Sequence, residues 1–517
     1  MPDRVKLHDP VIDLLRNAHF ALLLGSALAT ALASCTTKTQ PPTDTSPGGN
    51  SPQPGAMPPS SNDAGATTPT ASTCGFVTAP TSFALPAIAG APLAPFDAII
   101  GTVACAAGAN KLKYTLLDLD ADGRLDLVVT STCDDATIGV SAWLVYFGSA
   151  GGFAATATRF SLPPASPAGC ATVSIFDTDG DLLPDYVVTS LCSDATVGTS
   201  RWLVYSNSSA HTGFAPTVGQ YTLPPGGTAG AFAATGVTTP TCTNGANQPA
   251  FQLLDINGDG KLDFVVTQAC DDATVGTTSW RVYLGTASGA AATPTSLVLP
   301  TSPPFTTGAF AETYGTLTCS ATVSKPTFGL LDFDADGRPD LIVTQSCNDA
   351  ALGTSSWLLF HNGGAAFAAS TTIALPTIPS APTNPFPSLG AAGTCTGTSG
   401  PPTYSILDVN GDALPDLLVT GDCDDALTGS TYWQLFANTG AGFASPYAPF
   451  SLPSVLGATL QAPAALSGTE ACTVTPARPT FTTTYLAGLT LDVVVTTDCS
   501  DTTVGESKWL LFPASCK

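Results

Sequence analysis

The sequence predicts an all-β chain made of six copies of a four-stranded unit, and three observations carry that expectation. All six tryptophans, Trp143, Trp202, Trp280, Trp357, Trp433 and Trp509, follow a cysteine by ten residues, the cysteines being Cys133, Cys192, Cys270, Cys347, Cys423 and Cys499. The tryptophans recur every 76 to 78 residues except for one step of 59, from Trp143 to Trp202; a fixed period of this length marks a repeat protein. Abundant Gly and Pro, only 11% charged residues and many short apolar runs favour strands joined by tight turns.

In the first repeat the apolar runs place strands at 114–119, 125–130, 142–147 and 158–162. The third is apolar on both faces, with Trp143 and Val145 on one and Leu144 and Tyr146 on the other. A strand buried on both faces belongs inside stacked sheets. Six four-stranded antiparallel units stacked radially make a six-bladed β-propeller, which leaves only short edges. The last repeat stops just past its third strand, and the missing strand lies at the other end of the fold: Cys74 to Pro86 aligns with Gly151 to Pro163. An N-terminal strand therefore completes the last blade, with a Cys74–Cys516 disulfide at the seam.

Three segments follow. Residues 1–34 carry Arg4, Lys6 and Arg16, then an apolar run at 20–33, then Leu32-Ala33-Ser34-Cys35. The segment resembles a bacterial lipoprotein signal peptide, which implies cleavage before Cys35 and lipidation of that cysteine; the alternative is an ordinary cleaved signal beside a chance cysteine. Residues 35–73, rich in Pro, Ser, Thr and Gly, cannot repay the entropy of ordering and read as a disordered stalk. Residues 74–517 hold the repeats.

Fifteen cysteines without a single C-x-x-C pair indicate an oxidising, extracytoplasmic compartment. Six pairs fall one per repeat, each bracketing the hairpin of strands one and two: Cys105 with Cys133, Cys170 with Cys192, Cys242 with Cys270, Cys319 with Cys347, Cys395 with Cys423 and Cys472 with Cys499. Their sulfurs should meet opposite the hairpin loop, although spacing alone leaves other connectivities open. The net charge of −23 makes nucleic acid and anionic lipid poor partners, leaving the membrane to be reached through the lipid anchor only. Beyond the N-terminal segment only His211 and His361 remain, too few for a multi-histidine zinc site or a histidine-centred catalytic triad.

The hairpin loops carry the chemistry. Five keep a carboxylate or amide at positions one, three, five and nine: Asp118, Asp120, Asp122, Asp126; Asp177, Asp179, Asp181, Asp185; Asp255, Asn257, Asp259, Asp263; Asp332, Asp334, Asp336, Asp340; and Asp408, Asn410, Asp412, Asp416. Hard oxygens at alternate positions of a tight turn, with glycine at position six in three loops, suit calcium better than the stricter octahedron of magnesium. The competing reading is Asp-rich turns satisfied by their own backbone. In the sixth repeat Thr484, Leu486 and Gly488 stand where acids are expected and only Asp492 remains, so five calcium sites are expected. A further aspartate, Asp135 and its counterparts Asp194, Asp272, Asp349, Asp425 and Asp501, recurs after each cysteine even where the metal loop is lost, which reads as a structural turn. The tryptophans read as strand core rather than as a sugar-stacking platform.

The Asp-x-Asp-x-Asp-Gly-x-x-Asp loop running into an apolar strand, as in 118–130, resembles the FG-GAP or VCBS repeats of integrin-like β-propellers. The resemblance spans 74–517 and implies calcium in the strand one to strand two loops of one face, in a family dominated by adhesion and ligand-binding domains. The chain departs from integrin heads in having six repeats, longer repeats and a disulfide per blade. The expected function is a lipid-anchored, calcium-binding adhesion or protein-interaction module in the periplasm or at the cell surface, with an unknown protein or glycan ligand and no catalytic residues. The alternatives are a carbohydrate-binding propeller, which requires exposed aromatics in the interblade grooves, and a polysaccharide-acting enzyme, which requires a convergent Arg, Lys or Tyr cluster. One asymmetry stands out: from the last leucine of strand four to the next cysteine is 19 or 20 residues in five repeats, but only eight from Leu162 to Cys170. That shortening predicts a notch at the second blade, on the face away from calcium.

Overall fold

A computed structural model describes the chain from Cys74 to Cys516, less short internal stretches that include 89–94, 165–170, 379–384, 460–465 and 471–478, together with an isolated pairing of Leu7–His8 with Thr36–Thr37. The expected signal segment, Cys35 with its expected lipid and the expected stalk otherwise lie outside the described residues. Among the described residues there is no helix, and the architecture is all-β.

The described residues hold six four-stranded antiparallel units. The first has strands Lys113–Leu117, Asp126–Ser131, Ala142–Tyr146 and Thr158–Ser161, within two residues of the sequence expectation. The second has Ala171–Phe176, Asp185–Leu191, Arg201–Tyr205 and Gly219–Thr222. The third has Ala250–Leu254, Asp263–Gln268, Ser279–Tyr283 and Thr295–Val298. The fourth has Thr327–Leu331, Asp340–Gln345, Ser356–Phe360 and Thr371–Ala374. The fifth has Thr403–Leu407, Asp416–Gly421, Tyr432–Phe436 and Ala448–Ser451. The sixth takes Thr480–Thr484, Asp492–Thr497 and Lys508–Cys516 from the C-terminal end. Its fourth strand is Thr81–Ala84, with Phe83 opposite Trp509, while Cys74 lies opposite Cys516 and is disulfide-bonded to it.

Each unit is tied to the next by one parallel bridge from strand four to the turn after the neighbour's strand three. The bridges are Ser161 to Gly213, Thr222 to Gly289, Val298 to Ala366, Ala374 to Gly442, Ser451 to Gly75 and Ala84 to Gly152, so the sixth unit is linked back to the first. Glycine stands at five of the six bridges, Ala366 at the other, and at four of them a Cβ would collide with the facing strand. A Cβ on Gly152 would stand 2.5 Å from the Ala84 nitrogen, and one on Gly289 would stand 2.3 Å from that of Thr222. The aromatic residue after this glycine packs edge-on against the preceding tryptophan, as Phe153 does on Trp509, Phe214 on Trp143, Phe443 on Trp357 and Phe76 on Trp433. Five tryptophans are therefore core, at 0 to 2% exposure; Trp143 is only half-buried.

The long connections do more than join units. In five of them a short segment returns to the free edge of strand one as a fifth inner strand: Gly101 pairs with Tyr114, Val237 with Phe251, Gly315 with Phe328, Ala391 with Tyr404 and Gly468 with Phe481. Five disulfides are described, Cys74–Cys516, Cys105–Cys133, Cys242–Cys270, Cys319–Cys347 and Cys395–Cys423, with the pairings that the spacing indicates. Cys192 and Cys499 are also disulfide-bonded; Cys170 and Cys472, their expected partners, lie outside the described residues. Four bridges closing 28-residue loops each stabilise by roughly 3 kcal/mol in the chain-entropy account, and they fit the oxidising compartment read from the sequence.

Candidate metal centres in the hairpin loops

The antiparallel pairing of strands one and two brings each acidic loop to the same end of its unit. In the first loop a left-handed turn at Ala121 (φ 56°) and Gly123 (φ 82°) folds the chain back over Asp118. The Asp118 carboxylate accepts from the N–H of Gly123 at 3.0 Å and Asp120 from that of Asp122 at 3.2 Å. These are the backbone-satisfied turns of the competing reading, yet they also gather the acids. Carboxylate oxygens of Asp118, Asp120 and Asp122 lie within 4.8 Å of one another, as do those of Asp177, Asp179 and Asp185, and of Asp332, Asp334 and Asp336. Such a cluster of hard oxygens fits a divalent cation. In the third and fifth loops the amide at position three turns its nitrogen to the acid at position five, Asn257 to Asp259 at 3.2 Å and Asn410 to Asp412 at 3.0 Å.

Position nine is different from the rest. One oxygen of Asp126 accepts from the N–H of Leu119 and the other from that of Gly148, both at 2.8 Å. Asp185, Asp263, Asp340 and Asp416 repeat the pattern, staple-like, between the loop and the end of strand three. Asp492 accepts from Leu486 at 3.0 Å in the unit without a metal loop. Position nine is thus part of the hairpin whether or not the other acids are present. Burial, opposed by these N–H donors, pushes Asp126 and Asp416 up to about 8 and Asp263 to about 7. Buried carboxylates this close resist ionising together unless a cation neutralises them.

The sixth loop corrects the sequence alignment. Thr484 pairs with Asp492 as Leu117 pairs with Asp126, so the loop is one residue shorter and position one belongs to Tyr485, not Thr484. The Tyr485 hydroxyl donates to the Asp408 carbonyl of the fifth unit at 2.8 Å, so a hydrogen bond from this loop ties the sixth unit to the fifth. Without acids to align on, a one-residue deletion is invisible in the sequence.

Both histidines stand at acidic loops, which the sequence did not reveal. His361 Nδ1 lies 3.0 Å from Asp334 and 3.6 Å from Asp340, giving the fourth loop a second donor triple with a nitrogen in it. His211, from the second unit, interacts electrostatically with Asp120 of the first. The signal would have been position: His361 follows the last residue of strand three, whose end faces the loop. The aspartates after the cysteines are turn formers, as expected. Asp135, Asp194, Asp272 and Asp501 each accept from the N–H and hydroxyl of the threonine two residues on, and pair with Arg159, Arg201, Arg281 and Lys508.

Residues 118–188 match the FG-GAP-like repeat family model. No curated protein matches the chain. Among solved structures, the Photorhabdus luminescens Tc holotoxin pore is 16% identical with a TM-score of 0.44, covering 84% of this chain, which spans only 14% of the toxin chain. A Penicillium chrysogenum α-L-arabinanase complexed with arabinobiose is 11% identical with a TM-score of 0.30, covering 85% and 98% of the two chains. The V. cholerae biofilm matrix protein Bap1 is 10% identical with a TM-score of 0.21, covering 87% and 89%.

Proposed function

We propose that this chain is a calcium-stabilised six-bladed β-propeller, held outside the cytoplasm by a lipid on Cys35, that serves as a protein-interaction module and not as an enzyme. The observation that carries the reading is the recurrence of one acidic hairpin loop at the same connection of five linked units. The six parallel bridges support the ring, and the carboxylate clusters support the cation. Bound calcium neutralises the loop carboxylates; Asp118, Asp120 and Asp122, with their counterparts, would hold it, and Asp126 keeps the loop tied to strand three.

The same observations weigh against the other two readings. Five tryptophans are core, and Tyr314 is the one aromatic among the exposed large hydrophobics of the described residues, which leaves a sugar-stacking surface little to be built from. Arg124, Arg159, Arg201, Arg281 and Lys508 are each paired with an aspartate close by in their own unit, not converged on one pocket. Isothermal titration of chelator-treated chain with calcium tests the proposal: heat for five sites at roughly micromolar to millimolar calcium is expected, and none at all would remove the calcium assignment. A glycan array run with and without calcium is expected to be blank; strong hits would transfer the reading to a carbohydrate-binding propeller.

A further inference from the structure

At four junctions a phenylalanine of the long connection is seated in the same way on the unit before it. Its N–H donates to a glycine carbonyl, Phe96 to Gly505, Phe232 to Gly198, Phe310 to Gly276 and Phe386 to Gly353, at 2.7 to 3.0 Å. Its carbonyl accepts from a tryptophan indole at 2.7 to 2.9 Å, that of Trp509, Trp202, Trp280 or Trp357. The next residue's carbonyl takes a threonine hydroxyl at three of them, from Thr496, Thr189 and Thr344. Five residues after the phenylalanine, the chain pairs with the edge of strand one; there Gly101 and Tyr114 exchange two backbone hydrogen bonds at 3.0 and 3.3 Å, and Gly315 and Phe328 do so at 3.0 and 3.2 Å. All four phenylalanines are buried, at 0 to 2% exposure.

Between the first and second units the seat residues are present, and the connection that crosses them, of which 165–170 lie outside the described residues, is too short to supply the phenylalanine found at the other four junctions. The connection from Leu162 to Cys170 is eight residues long and holds no aromatic residue. Among the described residues no N–H donates to the Gly139 carbonyl and the Trp143 indole has no acceptor, while Thr130 keeps only a 3.4 Å bond to Lys113. Trp143 and Thr130 are half-buried, where the equivalent threonines are at most 2% exposed. Across the gap, Ala171–Phe176 is the terminal strand of its sheet. Val173 stands where Tyr114, Phe251, Phe328 and Tyr404 are buried in the other units, and is itself 36% exposed.

We propose that this junction is a docking site for an extended peptide of a partner protein carrying a phenylalanine. The peptide's phenylalanine takes the place of Phe96, Phe232, Phe310 and Phe386, its backbone bonding to Gly139 and Trp143 and the carbonyl of its next residue accepting from Thr130. The residue five further on adds to the Val173 edge as a short fifth strand, the main-chain mode of β-strand addition. Valine in place of a large aromatic leaves room beside the incoming ring. The inference rests on the interaction-module reading and gives that module its site, on the face away from the acidic loops.

The test is titration of the whole chain, in saturating calcium, with a synthetic peptide of residues 308–317, which carries Phe310 and Gly315. One-to-one binding is expected, weakened by about tenfold or more when the peptide's phenylalanine is replaced by alanine. Val173→Pro, which removes the edge N–H, and Trp143→Phe, which removes the indole donor, should each weaken it by about tenfold, with melting curves confirming that the variants fold. Thr130→Val is a milder second probe should either fail to fold. Trp202→Phe, whose indole is already engaged, should bind as the parent does. No binding up to roughly 1 mM peptide in a chain that still titrates calcium, or binding indifferent to all three variants, overturns the site and leaves the calcium reading standing. Peptide binding in a chain that takes up no calcium would do the reverse. Self-association abolished by Val173→Pro would give the edge to a second copy and overturn the peptide assignment.

Discussion

Asp492 separates two roles that the same residue type plays along this chain. It keeps the position-nine contact to Leu486 in a unit with no metal loop, so its work is to satisfy buried N–H groups. Replacing it with alanine strips an acceptor from a fully buried position and should cost roughly 1 to 3 kcal/mol, equally with and without calcium, measured by guanidinium unfolding. Asp122→Ala should act the other way round, removing heat from the calcium titration while shifting the midpoint of chelated chain little. The buried acids also set a pH dependence. Asp126 and Asp416, raised from 3.8 to about 8 by burial, bind more protons folded than unfolded. Chelated chain should therefore lose stability as pH rises from about 4 to about 8, and calcium should abolish that slope. A chelated chain most stable at neutral pH would contradict it.

At the scale of the element, what could be read in advance followed the repeat. The four strands, the acidic loops and the cysteine pairs stand in register in the sequence, because each copy solves the same hairpin with the same residue types. What could not be read lay where the copies differ in composition. In four of its five occurrences the inner fifth strand lies five positions after a phenylalanine, in segments such as 96–101 and 310–315 that share almost nothing else, and its bonds are made by backbone atoms, which no side-chain pattern announces. The eight-residue connection at 162–170 was visible as a shortening; that it lacks the phenylalanine which elsewhere bonds to the tryptophan and glycine of the preceding unit was not. The disulfides carry a prediction at this scale. Replacing Cys242 and Cys270 together by serine should lower stability by roughly 3 kcal/mol, read from the denaturant midpoint, while leaving the calcium stoichiometry intact.

For the molecule as a whole, stability is shared among units that lean on their neighbours, five of the six tryptophans packing against the aromatic of the next turn. Deleting 74–86 should therefore do more than remove one strand. It strips Phe83 from Trp509, exposes the length of Lys508–Cys516 as an open edge and should drive the chain to aggregate, visible by light scattering; a truncated chain that stays monodisperse and melts as the parent does would show that the seam is dispensable.

That seam also imposes an order in time. Phe83 leaves the ribosome more than four hundred residues ahead of Trp509, so throughout synthesis and export the segment 81–84 has no partner, while each hairpin disulfide can form as soon as its own two cysteines emerge. Maturation should end, not begin, at the first cysteine of the domain. In a pulse-chase with thiol alkylation, Cys74 should stay reactive after Cys105 and Cys133 have become protected, and the last bond to close should be the one that joins the oldest part of the chain to the youngest.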